Sequence, residues 1–313
     1  MIRFEPTLVS FLCTLPLAAA AQSASEFGFD FEVGQFSGDG LNNEDEASSF
    51  VLGEVFSSDV FAISGDTRVK LNGRLSQNMN IQVGDGYHDQ YMSAAMADIH
   101  VFANTGGMNY GAFGGLWLGE LNDGEPSVSG DLDQVFQYFI GGEFAVEGAA
   151  TDTMFQIGWV DSVSDDFDNN VEFGYDYRQV REAVLGSVEA TRYFGEAVAV
   201  SGRVSGLHGK MSDESVEFDD GDYSGVFLEL STEYMVPDRQ MSLIGGVRLA
   251  QHQFEDPDDE VQEIQTLSLF GGLNFTFGEA TNGSIKERRR TLGQFEMPWF
   301  LVNANTSSVG NLN

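Results

Sequence analysis

The sequence predicts an all-β fold, a transmembrane antiparallel β-barrel of about twelve strands, and three observations predict it. First, every second residue from Val69 to Val83 belongs to one row: Val69, Leu71, Gly73, Leu75, Gln77, Met79, Ile81 and Val83. Arg68, Lys70, Asn72, Arg74, Ser76, Asn78, Asn80 and Gln82 alternate with them. A strand has period two, so the rows occupy opposite faces, one suited to hydrocarbon and one to water. Strands of soluble sheets usually run only about 5–6 residues, so an alternation this long points to a stave of a membrane barrel. Second, such segments recur along the whole chain. Third, the connections between them alternate between short and long.

The N-terminal segment is read first. Arg3 starts a short basic region, Thr7 to Ala21 is largely apolar, and Ala18 to Ala21 offers small residues for cleavage. That is the pattern of a secretory signal peptide, assigned to residues 1–21. Cys13 is the single cysteine and lies inside it, so the mature chain is expected to have no disulfide and no cysteine metal site. No later stretch reaches the roughly 18 apolar residues of a membrane helix. Yet 42% of residues are hydrophobic, too many for a disordered chain. The formal net charge is −34, with acidic clusters at Asp39 to Glu46, Asp161 to Asp168, Asp213 to Asp222 and Asp256 to Glu263. Such a surface repels nucleic acid, which is excluded as a partner.

Taken in order, the strands fall at about 27–36, 50–63, 67–83, 91–103, 108–120, 132–147, 152–161, 176–193, 197–207, 223–236, 240–253 and 264–277. The first presents Phe27, Phe29, Phe31 and Val33 on one face. The second alternates poorly, which leaves ten or fourteen strands open. The stretch Arg178 to Glu189 suits a helix as well as a strand. Short turns sit at Gly65-Asp66, Asn104 to Gly107, Gly148 to Thr151, Gly195-Glu196 and Pro237 to Arg239, with the residues that turns require. Long acidic connections lie between them. An even strand count places both ends of the barrel on the short-turn side. Trp159, Tyr193 and Tyr234 near strand ends suit interfacial aromatic girdles.

The last strand contains Phe270, Gly272, Phe275 and Phe277. This spacing resembles the assembly signal that ends Gram-negative outer-membrane β-barrels. The resemblance implies insertion by the outer-membrane assembly machinery, contact with outer-membrane lipid, and a barrel over residues 22–278 with periplasmic turns and extracellular loops. It departs from the pattern in one respect: 36 residues follow Phe277. Residues 279–313 are assigned to a periplasmic extension, disordered or loosely docked. Folding into the barrel mouth, with the basic cluster Lys286 to Arg290 meeting an acidic lumen, is the alternative.

No catalytic constellation stands out, and no enzyme or cofactor is expected. The histidines read His88-Asp-Gln, His100-Val-Phe, His208-Gly-Lys and His252-Gln-Phe, none a His-x-Ser dyad resembling that of outer-membrane lipases. Asp166, Asp168 and Asn170 have the spacing of a calcium loop's first ligands, but Val171 and Tyr177 occupy the positions that need Gly and Glu. What remains is the inner wall. Arg68, Lys70, Arg74, Asp98, Glu143, Arg203, Glu229 and Arg248 are the candidate pore-lining residues, joined inward by Asp133, Glu147, Asp152 and Glu233. A charge facing lipid at the midplane would cost roughly 2–4 kcal/mol, which drives them inward. Opposed charged rows can create a transverse field across an open pore, or close a narrow lumen through ion pairs, and twelve strands permit either. The expected function is a porin-like channel for small hydrophilic solutes or ions, cation-enriching through its acidic loops. The alternative is a plugged structural or adhesive barrel. Nothing in the sequence sets an oligomeric state.

Overall fold

The structure is a computed structural model that describes residues 23–38, 48–81, 91–122, 133–163, 178–213, 220–237, 239–255, 261–281 and 283–297. The signal-peptide segment, the His88-Asp89 pair, the Asp166–Asn170 spacing and most of the acidic clusters lie outside the described residues.

Twelve strands close into one antiparallel barrel in which each pairs with its sequence neighbours and β1 pairs with β12. They are β1 (Ser23–Gly38), β2 (Ser48–Ser64), β3 (Thr67–Ile81), β4 (Tyr91–Thr105), β5 (Met108–Asn122) and β6 (Asp133–Glu147). The second half is β7 (Thr151–Val163), β8 (Arg178–Phe194), β9 (Val198–Asp213), β10 (Asp220–Met235), β11 (Met241–Glu255) and β12 (Val261–Gly278). All the expected short turns fall at one end of the barrel, with the start of β1 and the end of β12. Gly65, Gly106 and Gly195 hold positive φ there, where a side chain would be strained.

The alternation places the faces as expected. Outward residues are apolar and exposed, such as Phe29, Phe31, Ile140, Leu228, Leu230 and Leu269. Inward residues are buried, such as Glu32, Lys70, His100, Glu143 and Ser268.

Two ambiguous segments resolve for physical reasons. β2 alternates poorly because its inward row, Phe50, Leu52 and Val60, is itself apolar and buried, so both faces of that stave carry hydrocarbon. Gly28 and Gly34 on β1 make room for this row, since a Cβ at either would run into the ring of Phe56 or Phe50. β8 looks helical because a bulge between Arg181 and Val184 adds a residue, with Glu182 at φ 47°. Val180 and Ala183 then both face inward, three residues apart, which mimics a helical repeat. Tyr193 corrects the girdle expectation: it points into the lumen and its hydroxyl donates to buried Asp152 at 2.8 Å. Trp159 and Tyr234 do face outward.

After β12 the chain forms a short 3₁₀ turn, Glu279–Thr281, and then the helix α1, Ile285–Thr291. Ser284 and Glu287 form a reciprocal capping box at its start: Ser284 N donates to Glu287 Oε2 at 2.7 Å, and Glu287 N donates to Ser284 Oγ at 3.3 Å. A helix this short is marginal alone, so its tertiary contacts hold it. Ile285 is fully buried beside Tyr193 and Ala199, and its N–H donates to Glu196 O at 2.8 Å. Residues 285–297 therefore turn back into the barrel mouth, in contrast to the loose periplasmic extension expected for this part of the tail.

Candidate functional site in the barrel lumen

The inner wall divides into two halves of different chemistry. Towards the loop end, Phe50, Leu52, Trp117, Phe139, Val160, Leu207, Tyr223 and Phe227 belong to one buried apolar cluster, which Phe113, opposite His100, and Met297 of the tail extend towards the turn end. Glycines on the same wall admit these rings: a Cβ at Gly115 would strike Phe139, and one at Gly141 would strike Phe113. Tyr223 places its hydroxyl 2.8 Å from His252 Nδ1 within this layer.

Towards the turn end the wall is charged. Here the structure places the sequence-predicted residues in cross-strand pairs instead of segregated rows. Arg74 pairs with Glu54 at 3.1 Å, and Arg203 pairs with Glu189 on the neighbouring strand. Arg248 bridges Glu229 at 2.9 Å and Glu32 at 2.5 Å, its guanidinium 4.0 Å from the centre of the Phe270 ring. His100 lies between two carboxylates, Nε2 2.8 Å from Asp98 and Nδ1 2.8 Å from Glu143. Asn72 donates to the same Asp98 carboxylate at 2.5 Å. Arg68, on the inward face of β3 nearest the turns, is half-buried. Of the assembly-signal residues, Phe270 faces the lumen whereas Phe277 faces outward.

Several lumen residues were missed by the sequence reading. β1 was read for its phenylalanines, yet Glu26, Asp30 and Glu32 alternate with them and face inward. The signal was present on the opposite face of the same strand. Glu54 was hidden in the poorly alternating β2. Glu189 was hidden by the bulge ahead of it in β8.

The tail completes the charged half. Arg289 donates to Glu233 at 3.1 Å and to Glu189 at 3.2 Å. Arg290 donates to both oxygens of Asp152, at 2.6 and 3.0 Å, and to Gly148 O at 2.7 Å. Gln294 reaches Asp152 Oδ2 at 2.6 Å, and Lys286 reaches Ala149 O at 2.7 Å. From the wall, Lys70 donates to Gly293 O at 3.1 Å and lies 3.9 Å from Glu296. Enclosure alone would raise the pKa of Glu296. Lys70, Arg203, Arg289 and Arg74 outweigh it and hold the carboxyl down at about 2. Apolar anchors accompany the ion pairs. Phe295 is fully buried, stacked on His100 at 6.3 Å and edge-on to Phe102 at 5.2 Å, while Leu292 packs with Ala24, Val60 and Ala280.

A closed antiparallel barrel with an apolar exterior and a polar, partly filled interior solves the problem of crossing hydrocarbon, because every strand edge is paired. The fold is that of Gram-negative outer-membrane β-barrels. The short turns and residues 285–297 share one end of the barrel. No protein-family model matches the chain, and no curated protein matches it. Among solved structures it is similar to an outer membrane channel from Pseudomonas putida F1, with 10% identity and a TM-score of 0.57, covering 83% of this chain and 97% of that one. It is also similar to the beta domain of the Bordetella autotransporter Brka, with 11% identity, a TM-score of 0.48, and coverage of 82% and 100%. The translocator domain of the autotransporter NalP from Neisseria meningitidis matches at 6% identity and a TM-score of 0.44, covering 87% and 95%. At these identities the likeness is one of fold.

Proposed function

We propose that this outer-membrane barrel is a channel for small hydrophilic solutes or ions that rests closed, its periplasmic half stoppered by residues 285–297. One observation carries the reading: that half holds a segment that belongs to no strand, docked through ion pairs to Glu189, Glu233 and Asp152 and through buried Ile285, Leu292, Phe295 and Met297. A segment that belongs to no strand can leave without unpairing the barrel. The solved outer membrane channel of similar fold supports a transport role. Arg68, Lys70, Arg74, Asp98, Glu143, Arg203, Glu229 and Arg248 would then line the path once the tail departs. The net charge of −34, concentrated in the loop segments, would enrich cations at the extracellular mouth.

A second reading rests on the apolar layer. Buried rings such as Trp117 and Phe227 fill the loop-end half chiefly with wall side chains, joined by Met297 of the tail, as a plugged structural or adhesive barrel would require. Apolar constrictions also gate by dewetting, so the layer suits a channel of small conductance. Planar-bilayer recording separates the two readings. The full chain should be mostly silent, and a chain ending at Gly278 should show discrete steps. In that shortened chain, neutralising Arg68, Lys70 and Arg74 together should move the reversal potential further towards cations. Silence from shortened protein shown to be folded would remove the channel reading in favour of the plugged barrel.

A further inference from the structure

The exterior of the barrel is apolar, with two departures in its turn-end half. Among the described residues, the strands carry two outward charges there, Asp59 on β2 and Arg192 on β8. Asp59 is recessed: it is 5% exposed, Ser25 donates to its Oδ1 at 2.5 Å, and no other described residue bonds it. Arg192 is exposed, its guanidinium 5.6 Å from the centre of the Phe194 ring, and it pairs with no described carboxylate. An ionisable side chain among lipid-facing residues is a sign of function that calls for a named partner.

The two charges stand on opposite sides of the barrel at the same depth. β2 and β8 are six staves apart in the ring of twelve. The rung of Asp59 runs through Leu71, Ile99, Gly114, Ile140 and Trp159 to Val184 on β8. Carried on through β9, β10 and β11, it reaches Glu263 on β12. Taken the short way, through Ser25, the same rung reaches Phe277 on β12. Glu263 and Phe277 are fourteen residues apart, so one circuit climbs that far towards the loops, because the strands tilt. Half a circuit climbs seven residues. The level of Asp59 on β8 therefore lies seven residues nearer the turns than Val184, beside Arg192.

The surfaces around the two charges differ in relief. Beside Asp59, Phe27, Phe29 and Phe31 project from β1, 45%, 42% and 55% exposed. Beside Arg192, the outward rungs Ala190–Gly202 and Gly186–Gly206 are small, and a Cβ at Gly186 or Gly202 would meet nothing. Small residues let neighbours approach closely in a membrane, and projecting rings suit such a trough.

We propose that copies of this barrel associate side by side through these faces, Arg192 of one copy meeting Asp59 of the next. The long, exposed arginine suits a recessed carboxylate. A lipid phosphate would answer Arg192 and leave Asp59, and a basic segment of another protein would answer Asp59 and leave Arg192. A second copy answers both with one kind of contact. Because the two sites lie half a turn apart, the contact is head-to-tail and does not close on itself, so the copies form straight rows instead of symmetric dimers. The claim does not depend on the channel reading, because its test involves no conductance.

The test is energy transfer between full chains labelled at the amino terminus with donor or acceptor and refolded together into dilute phosphatidylcholine vesicles. The unaltered protein should give transfer well above the level of random encounters. Asp59→Arg and Arg192→Asp should each bring it down to that level, and mixing the two variants should restore it, since each supplies the charge the other lacks. The milder Asp59→Asn and Arg192→Gln should each lose most of the transfer, which keeps the test open if a reversal fails to fold. At higher protein density, photobleaching should count more than two copies per spot, and a ceiling of two would overturn the row. Random-level transfer from unaltered protein shown to be folded would overturn the association. Transfer that survives both reversals, or reversed variants that stay at the random level when mixed, would overturn the Arg192–Asp59 contact.

Discussion

The two halves of the lumen close the same barrel by opposite means. In the loop-end half, aromatic and aliphatic side chains of the wall make up most of one buried cluster, so most of the filling is inseparable from the strands that carry it. In the turn-end half, the filling is a segment joined to β12 through a short turn, held by ion pairs of Arg289 and Arg290 and by buried Ile285, Leu292 and Phe295. The difference teaches that a twelve-strand barrel has too wide an interior for its own side chains to fill unless they are large and apolar. Where the wall carries Asp, Glu, Lys and Arg, an additional piece of chain completes the packing and neutralises the excess of carboxylates.

The contrast can be broken from its strongest side first. Trp117→Ala or Phe227→Ala removes a ring from the apolar layer and should cost about 3–5 kcal/mol, read by denaturant unfolding in micelles. A cost below about 1 kcal/mol would mean that this half is loosely filled, and the contrast would collapse. Next, Asp152→Ala removes the carboxylate shared by Arg290, Gln294 and Tyr193. The expected cost is about 2–3 kcal/mol, below that of a fully buried pair because Arg290 is 24% exposed. This variant should also speed tryptic cleavage at Arg288 to Arg290, which the Trp117 variant should leave unchanged.

Salt gives a smaller effect and sharpens the same comparison. At about 1 M ionic strength the screening length falls to about 3 Å, so the partly exposed pairs of the tail weaken while the apolar layer does not. Tail cleavage should rise a few-fold with the unfolding temperature of the barrel unchanged or raised. The smallest expected effect concerns Glu296. Its folded pKa of about 2 lies below the ordinary 4.5, so its contribution is complete above about pH 4.5 and is lost as the pH falls towards 2. Hydrogen exchange of residues 285–297, corrected for intrinsic rates, should accelerate across that window. Glu296→Gln should flatten the dependence, and an unchanged profile would remove Lys70 and its neighbours as the cause.

Much of the wall is legible in the sequence. The alternation around Lys70 and Arg74 in β3, and around Glu229 and Glu233 in β10, carries the inward face directly, because period two leaves a side chain only two choices. Legibility failed where that period was masked. β2 hid Glu54 behind an inward apolar row, and the bulge at Glu182 shifted the faces of β8, so Glu189 was missed and Tyr193 was turned the wrong way. The tail failed for another reason. Ser284 to Thr291 carries a capping box and a basic cluster, but neither says where the helix docks.

An all-β barrel of about twelve strands, most of the inward and outward faces and the short-turn end followed from the sequence alone. They depend on local rules, namely the pleat, turn chemistry and the cost of placing charge in lipid. Only the tertiary structure decided that the charges pair across strands, that apolar rings seal one half, and that Arg289 and Arg290 reach Glu189, Glu233 and Asp152 from the far end of the chain. Those contacts join residues separated by 56 to 138 positions, and closure of the barrel is what brings them together.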